Sequence, residues 1–199
     1  MTRLSSNLGL VIISSLVIIL LSVSLACAGP RVVLDPPPAE NAKGKILVTF
    51  LYLPPSGEVE PTYHTVIWLA DLNGKLVHTF FVSQDLSDTE YKIEEACKEW
   101  VKQSNWAQAD KSLVDAVTGP TPNVGSGAIE FPLENLGITS GVYQLRFEVN
   151  VAQGYDITFL AKIDVGGAAS EAKTEILYNP DKPPVDVDFV RDIQVQYIP

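Results

Sequence analysis

The strongest constraint on the fold is residues 141–151, where apolar and polar side chains alternate without interruption. Successive side chains of a strand point to opposite faces, so the pattern predicts a strand with one face in a core and the other in water. The predicted core face carries Tyr143, Leu145, Phe147, Val149 and Val151. The predicted water face carries Gln144, Arg146, Glu148 and Asn150.

Other short runs of apolar, β-branched and aromatic residues predict further strands. Asn73-Gly74 separates two of these runs and predicts a hairpin with a type I′ turn, because both residues tolerate a positive φ. Many short strands joined by Gly, Pro and Asn turns are typical of an all-β sandwich, here of about seven to nine strands. The further runs are 45–53, 64–72, 75–83, 127–133, 157–165, 173–178 and 189–197.

A single amphipathic helix, at about residues 88–103, is predicted to interrupt the strands. Ser87 and Glu90 have the spacing of a capping box at its start. Apolar residues then recur at helical spacing, which predicts one buried stripe and favours a packed, unreactive thiol at Cys97. The stripe consists of Ile93, Ala96, Cys97, Trp100 and Val101.

The first 28 residues have the pattern of an export signal: Arg3, an apolar run over 8–23 and small residues over 24–28. Residues 29–44 contain four prolines and predict an extended spacer. The folded domain is therefore expected to comprise residues 45–199 and to work outside the cytoplasm, in the periplasm or at the cell surface.

Three endings of the signal are open. Leu25-Ala26-Cys27 resembles a lipobox, which predicts lipidation of Cys27 and attachment to the membrane, although Ser24 stands where Leu is usual. Ala26 and Ala28 alternatively form a signal-peptidase site. In the third ending the segment is not cut and anchors the chain, but its apolar run is short for a membrane span.

Charge and composition argue against several function classes. The net charge is -10, and Arg3 is the one charged residue of the signal, so nucleic acid and anionic lipid are unfavourable partners for the exported part. His64 and His78 lie far apart in sequence and the chain has two cysteines, which argues against a zinc or haem site. No nucleophile motif is present, so we expect no enzymatic activity and no catalytic residue.

The loop 115–121 combines an acid, two hydroxyls and a glycine: Asp115, Thr118, Gly119 and Thr121. Such residues are common in turns, because Asp and Thr side chains bond nearby backbone amides. A structured connection is therefore the simpler interpretation of this loop.

Over residues 45–165 the chain resembles a family of predicted periplasmic proteins classified as a domain of unknown function (number two-two-seven-one). The resemblance rests on an early strand and a Trp-containing helix, together with Val66-Ile67-Trp68-Leu69-Ala70-Asp71, Asn73-Gly74-Lys75, Asp115-Ala116-Val117-Thr118-Gly119 and Gly137-Ile138-Thr139-Ser140-Gly141-Val142-Tyr143. It implies an immunoglobulin-like sandwich. Genes of this family often lie beside flavin transferases and membrane redox proteins.

The resemblance also implies a cofactor site. The family's loop looks like the acceptor motif of flavinylated proteins, in which the last Thr hydroxyl carries FMN through a phosphodiester bond. Asp115, Thr118, Gly119 and Thr121 match that motif, whereas Pro120 stands where Ala is usual. Pro120 removes an amide donor and restricts Gly119, which counts against the loop geometry that a transferase must read. The resemblance implies FMN on Thr121, and the structured turn is the competing interpretation.

Two other groups of residues are candidate binding sites. The first is acidic and lies near the C-terminus: Asp181, Asp186, Asp188 and Asp192. These carboxylates would suit Ca²⁺, although a solvated sheet edge explains them as well. The second group could form an aromatic ligand platform: Tyr63, Trp68, Trp100 and Trp106. Core packing is the default for Trp68 and Trp100, whereas Trp106 is expected to be more exposed.

The sequence thus predicts an exported, membrane-tethered accessory or binding domain of the cell envelope, linked to an extracytoplasmic flavin or redox system. It would need no cofactor or metal, and its partners would be the membrane, through an N-terminal lipid or anchor, and another envelope protein. One alternative is a covalently flavinylated electron carrier with FMN on Thr121. The other is a structural or adhesive module that uses the sandwich edges.

Overall fold

The computed structural model describes residues 40–54, 62–93, 96–152, 155–178 and 189–199. The predicted signal, Cys27 and most of the spacer lie outside these residues. The described strands are β1 (Lys45–Tyr52), β2 (His64–Ala70), β3 (Leu76–Ser83), β4 (Thr118–Gly119), β5 (Gly125–Pro132), β6 (Gly141–Ala152), β7 (Tyr155–Val165), β8 (Ser170–Tyr178) and β9 (Val190–Ile198). The described α-helices are α1 (Gln84–Asp88), α2 (Lys98–Ser104) and α3 (Lys111–Val117).

The strands form one curled sheet in the order β4-β3-β2-β6-β7-β8-β9-β1-β5. β8 changes partner along its length, since Ser170–Lys173 pair with β9 and Thr174–Tyr178 pair with β7. The curled sheet therefore encloses a core as two facing halves, and the predicted all-β sandwich is confirmed. All of its pairings are antiparallel except the short parallel contact of β3 with β4.

The sandwich interior is apolar because each main strand contributes alternate residues to it. β1 alternates between half-buried and buried positions along its whole length. Phe50, Phe147 and Phe159 meet at the centre, with the ring of Phe147 5.2 Å from that of Phe50 and 6.3 Å from that of Phe159. Aromatic pairs at this spacing add to the hydrophobic stabilisation of the core.

The helical insertion between β3 and β5 differs from the single helix predicted. It consists of α1, α2 and α3, joined by two 3-10 turns. α1 begins directly after β3, so Ser87 lies inside a helix and does not cap one. Cys97 and Asn105 flank α2 with φ values of 49° and 50°. The left-handed conformation of Cys97 interrupts the predicted continuous helix, and that of Asn105 ends α2.

The predicted water face of β6 is wrong for its second half, where the insertion docks, whereas Gln144 and Arg146 are half-buried. Glu148 is 1% exposed and Asn150 is 4% exposed. A second apolar cluster lies between this face and the helices, so every residue of β2 is buried. The second cluster contains Val66, Trp68, Ala70, Val82, Leu86, Ala96, Cys97, Trp100, Trp106 and Val117. At β2 the outer face of the sheet is therefore an internal layer.

The β2–β3 hairpin is confirmed, but its turn is not type I′. Gly74 has a φ of 82°, whereas Asn73 is not among the residues with positive φ. The Asp71 side chain instead accepts hydrogen bonds from the amides of Asn73 and Lys75 at 2.8 and 2.9 Å. An Asx-type turn therefore closes the hairpin.

The turn before β6 is held by a tyrosine, an arrangement found in immunoglobulin-like sandwiches. The hydroxyl of Tyr143 donates to the carbonyl oxygen of Thr139 at 2.9 Å. Chain upstream of β1 docks on the same turn, since the amide of Ser140 donates to the oxygen of Glu40 and that of Ala42 to the oxygen of Ile138. In the part of the chain described, no helix has the length and apolar character needed to cross a membrane.

Tyr143→Phe should lower the free energy of unfolding by about 1 kcal/mol, because it removes this hydrogen bond and leaves the carbonyl of Thr139 without the phenol donor. Urea unfolding of the folded domain measures the change. Tyr91→Phe, at a half-buried tyrosine of the insertion, is the matched control and should change stability by less than about 0.5 kcal/mol. Equal losses in both variants would contradict a bracing role for Tyr143.

Candidate functional site

The loop that follows α3 is aligned with the start of α1 by the parallel pairing of β4 with β3. Val82 pairs with Thr118 and Ser83 pairs with Gly119. Beyond this register β3 leads directly into α1 and β4 leads into the loop, and one residue from each of these segments comes into contact with the other. These residues are Thr121 and Asp85.

Thr121 and Asp85 make a reciprocal pair. The hydroxyl of Thr121 donates to Oδ2 of Asp85 at 3.0 Å, and the amide of Asp85 donates to Oγ1 of Thr121 at 3.3 Å. Asp85 is exposed and Thr121 is half-buried. The hydroxyl is therefore oriented at a surface that another protein can reach.

A second contact fixes the same loop on α1. The hydroxyls of Thr118 and Ser87 lie 2.9 Å apart. The carbonyl oxygen of Ser87 in turn accepts the indole N–H of Trp106 at 3.1 Å. Thr118 thus has a positioning role that links the loop to the apolar cluster under the helices.

Gly119 is required by packing. A Cβ at this position would lie 2.6 Å from Cε2 of Phe81, a buried residue of β3, so any larger side chain would displace β4 or the ring. Pro120 is exposed and follows β4 directly. Its missing amide costs no hydrogen bond of the β3–β4 pair, whose registered residues are Thr118 and Gly119.

Asp115 is the one residue of the predicted motif that does not join the others. It lies on α3, where Nζ of Lys111 contacts both of its carboxylate oxygens at 2.8 and 2.9 Å. Thr118, Gly119 and Thr121 lie together in the loop, and the carboxylate that contacts Thr121 is that of Asp85, which no sequence motif indicated.

Two carboxylates hold the N-terminus of α2. Asp156 accepts the amides of Cys97 and Lys98, each at 3.0 Å. Glu148 accepts those of Glu99 and Trp100 at 3.0 and 3.1 Å. The first amides of a helix have no partner within it, so two strands of the sheet supply the whole cap. We name this arrangement the carboxylate cap.

Glu148 is the fully buried member of the carboxylate cap. Burial, and after it the charge of Asp156, raises the pKa of Glu148 from 4.5 to about 8, and the backbone amides of Glu99 and Trp100 oppose this rise. The thiol of Cys97 lies against the carbonyl oxygens of His64 and Glu148, and burial raises its pKa well above the ordinary value. Cys97 is therefore a packed thiol, as predicted, because its reactive thiolate form is suppressed.

The predicted aromatic platform is not a surface. Trp68 and Trp100 are fully buried, as expected, and Trp106 is only 5% exposed, which corrects the expectation that it would be more exposed. The rings of Trp100 and Trp106 lie 5.0 Å apart, and the indole of Trp100 donates to Thr79. Tyr63 is buried too, with its hydroxyl on the carbonyl of Leu53.

The acidic C-terminal candidates for calcium are mostly outside the described residues: Asp181, Asp186 and Asp188. Asp192 is described, and its Oδ2 lies 3.9 Å from Nε of Arg191. Among the residues that the structure describes, no three His, Cys, Asp or Glu side chains are grouped so that they could hold a metal ion.

Comparison with known proteins finds one family. The sequence model of the family described as "Predicted periplasmic protein (DUF2271)" matches residues 56–177, which are more than half of the chain. No curated protein and no solved structure matches the chain. The matched range contains the complete helical insertion, both residues of the Thr121–Asp85 pair and both carboxylates of the carboxylate cap.

Glu148→Gln should change the pH dependence of stability. The folded-state pKa of Glu148 is raised, so its contribution is fully present below about pH 4.5 and is lost as the pH rises through about 8. Wild type should therefore lose stability relative to Glu148→Gln within that window, by up to about 1.4 kcal/mol per pH unit. Urea unfolding at pH 5, 6.5 and 8.5 measures the difference.

Glu175→Gln, at an exposed position of β8, is the matched control and should show no such trend. A stability difference between wild type and Glu148→Gln that stays constant from pH 5 to pH 8.5 would contradict the buried, protonated state of Glu148.

Proposed function

Because this chain belongs to the DUF2271 family of predicted periplasmic proteins, we propose that it is an extracytoplasmic accessory domain, tethered to the membrane and linked to a flavin or redox system of the cell envelope. Family membership supports the extracytoplasmic location, whereas the tether is argued from Cys27 and the flavin link from the loop 115–121. The sandwich supports a binding role, since its polar, acidic surface and packed interior suit a stable module presented to a partner. Lipidation at Cys27, followed by the proline-rich segment, would provide the tether.

Full-length protein should appear in the membrane fraction of a Gram-negative host, with the mature chain starting at a lipidated Cys27. Cys27→Ser should move the protein to the soluble periplasmic fraction, since lipid chains provide the attachment. Intact mass spectrometry of both fractions measures the result. A mature wild-type chain that starts after Ala28 without lipid would contradict the tether and leave the exported domain itself intact.

A second function is favoured by the Thr121–Asp85 pair: a covalently flavinylated electron carrier with FMN on Thr121. The residues fit the attachment point, because a half-buried hydroxyl is held beside an exposed carboxylate and Gly119 keeps the loop flat against Phe81. Bound FMN would supply one- and two-electron redox chemistry. Thr118, Gly119 and Asp85 would fix the loop that carries it.

Co-expression with a flavin transferase should give a protein with flavin absorbance and an FMN-sized mass increase on the peptide that contains Thr121. Thr121→Ala should abolish both, because it removes the acceptor oxygen. Ser126→Ala, at an exposed hydroxyl of β5, is the matched control and should leave both unchanged. An unmodified wild-type peptide, while a proven acceptor protein is modified in the same cells, would contradict the carrier function and leave the accessory role standing.

A further inference from the structure

Asp85 belongs to no part of the loop motif, yet it is the carboxylate that contacts the hydroxyl of Thr121. Oγ1 of Thr121 is 3.0 Å from Oδ2 of Asp85, while the motif's own acid, Asp115, is engaged by Lys111 on α3. The β3–β4 pairing brings the end of β3 beside β4, and α1 and the loop that follow these strands make the contact. We infer that Asp85, and not Asp115, is the residue that orients the hydroxyl of Thr121 and accepts its proton when a flavin transferase modifies it.

The chemistry requires a group in this place. A threonine hydroxyl is a weak nucleophile and is activated by an adjacent base. Oγ1 of Thr121 attacks the phosphorus of flavin adenine dinucleotide that bears the riboflavin. The Oγ1–P bond forms, the pyrophosphate P–O bond breaks, and adenosine monophosphate leaves with the electron pair of that bond. The proton of the hydroxyl passes to Asp85 and then to solvent, so atoms and charge balance without any oxidant or reductant.

The contacts around Asp85 favour this role over a purely structural one. Its carboxylate is exposed, so it can exchange a proton with water. Its amide donates to the same Oγ1, which fixes the direction in which the hydroxyl proton points. Asp88, on the same helix, accepts instead from the side chain of Gln84 at 2.7 Å and provides a matched carboxylate with no contact to the loop.

The inference rests on the carrier function proposed above, and the test separates the two. Unmodified wild type, Asp85→Asn, Asp85→Glu, Asp88→Asn and Asp115→Asn are each incubated with purified flavin transferase and flavin adenine dinucleotide. Intact mass gives the rate of FMN attachment, and released adenosine monophosphate gives an independent count of turnovers. Thermal unfolding of each unmodified variant reports whether the loop mutation damages the fold.

Asp85→Asn should attach FMN about 100-fold more slowly than wild type, as expected for loss of a proton acceptor. Asp85→Glu should recover at least a tenth of the wild-type rate, because it restores the carboxylate. Asp88→Asn and Asp115→Asn should stay within about twofold of wild type. Raising the pH should speed Asp85→Asn more than wild type, because hydroxide then replaces the missing base; a merely structural role would not produce this pH dependence.

Attachment to Asp85→Asn at the wild-type rate would overturn the inference while leaving the carrier function intact. The inference would also be overturned if Asp115→Asn lost as much of the attachment rate as Asp85→Asn. Equal losses of rate in Asp85→Asn and Asp85→Glu, with the same pH profile, would overturn it too. Failure of wild type itself, with a proven acceptor modified by the same transferase preparation, would overturn the carrier function and with it the role of Asp85.

Discussion

The carboxylate cap is the interaction on which the second layer of this domain depends. Glu148 and Asp156 project from neighbouring strands and together accept all four amides at the start of α2. A helix of this length is marginal without tertiary contacts, so the cap and the packing of Trp100 hold it on the sheet. Docking the helix in this way buries the carboxyl group of Glu148, and this burial raises its pKa.

The covered face also explains where the candidate site lies. Every residue of β2 is buried, so this part of the sheet is covered, and the insertion that covers it provides the exposed surface. The insertion returns to the sheet through β4, and the contact of only two residue pairs sets the position of Thr121. The apolar cluster beneath the helices and the oriented hydroxyl above them are thus parts of one arrangement, joined through Ser87 and Trp106.

Strands with regular alternation could be predicted from sequence to within a few residues, as for β1 and β6, because period two is a direct signal of a pleated, packed strand. The environment of Glu148 could not, since an acidic side chain on an alternating strand indicates water unless a covering layer is known. The break of the predicted helix at Cys97 was equally hidden, because cysteine rarely adopts positive φ. Asp85 was missed for a different reason: a parallel contact as short as β3–β4 leaves no periodic trace in the sequence.

The carboxylate cap docks the insertion as a fixed layer of the domain, so the insertion is not a flexible segment. Amide hydrogen exchange at residue resolution tests it most directly, because exchange reports the opening of individual hydrogen bonds. The amides of Lys98, Glu99 and Trp100 should exchange nearly as slowly as those of β6. Exchange of these three amides at the rate of exposed loop residues, with β6 still protected, would contradict the account.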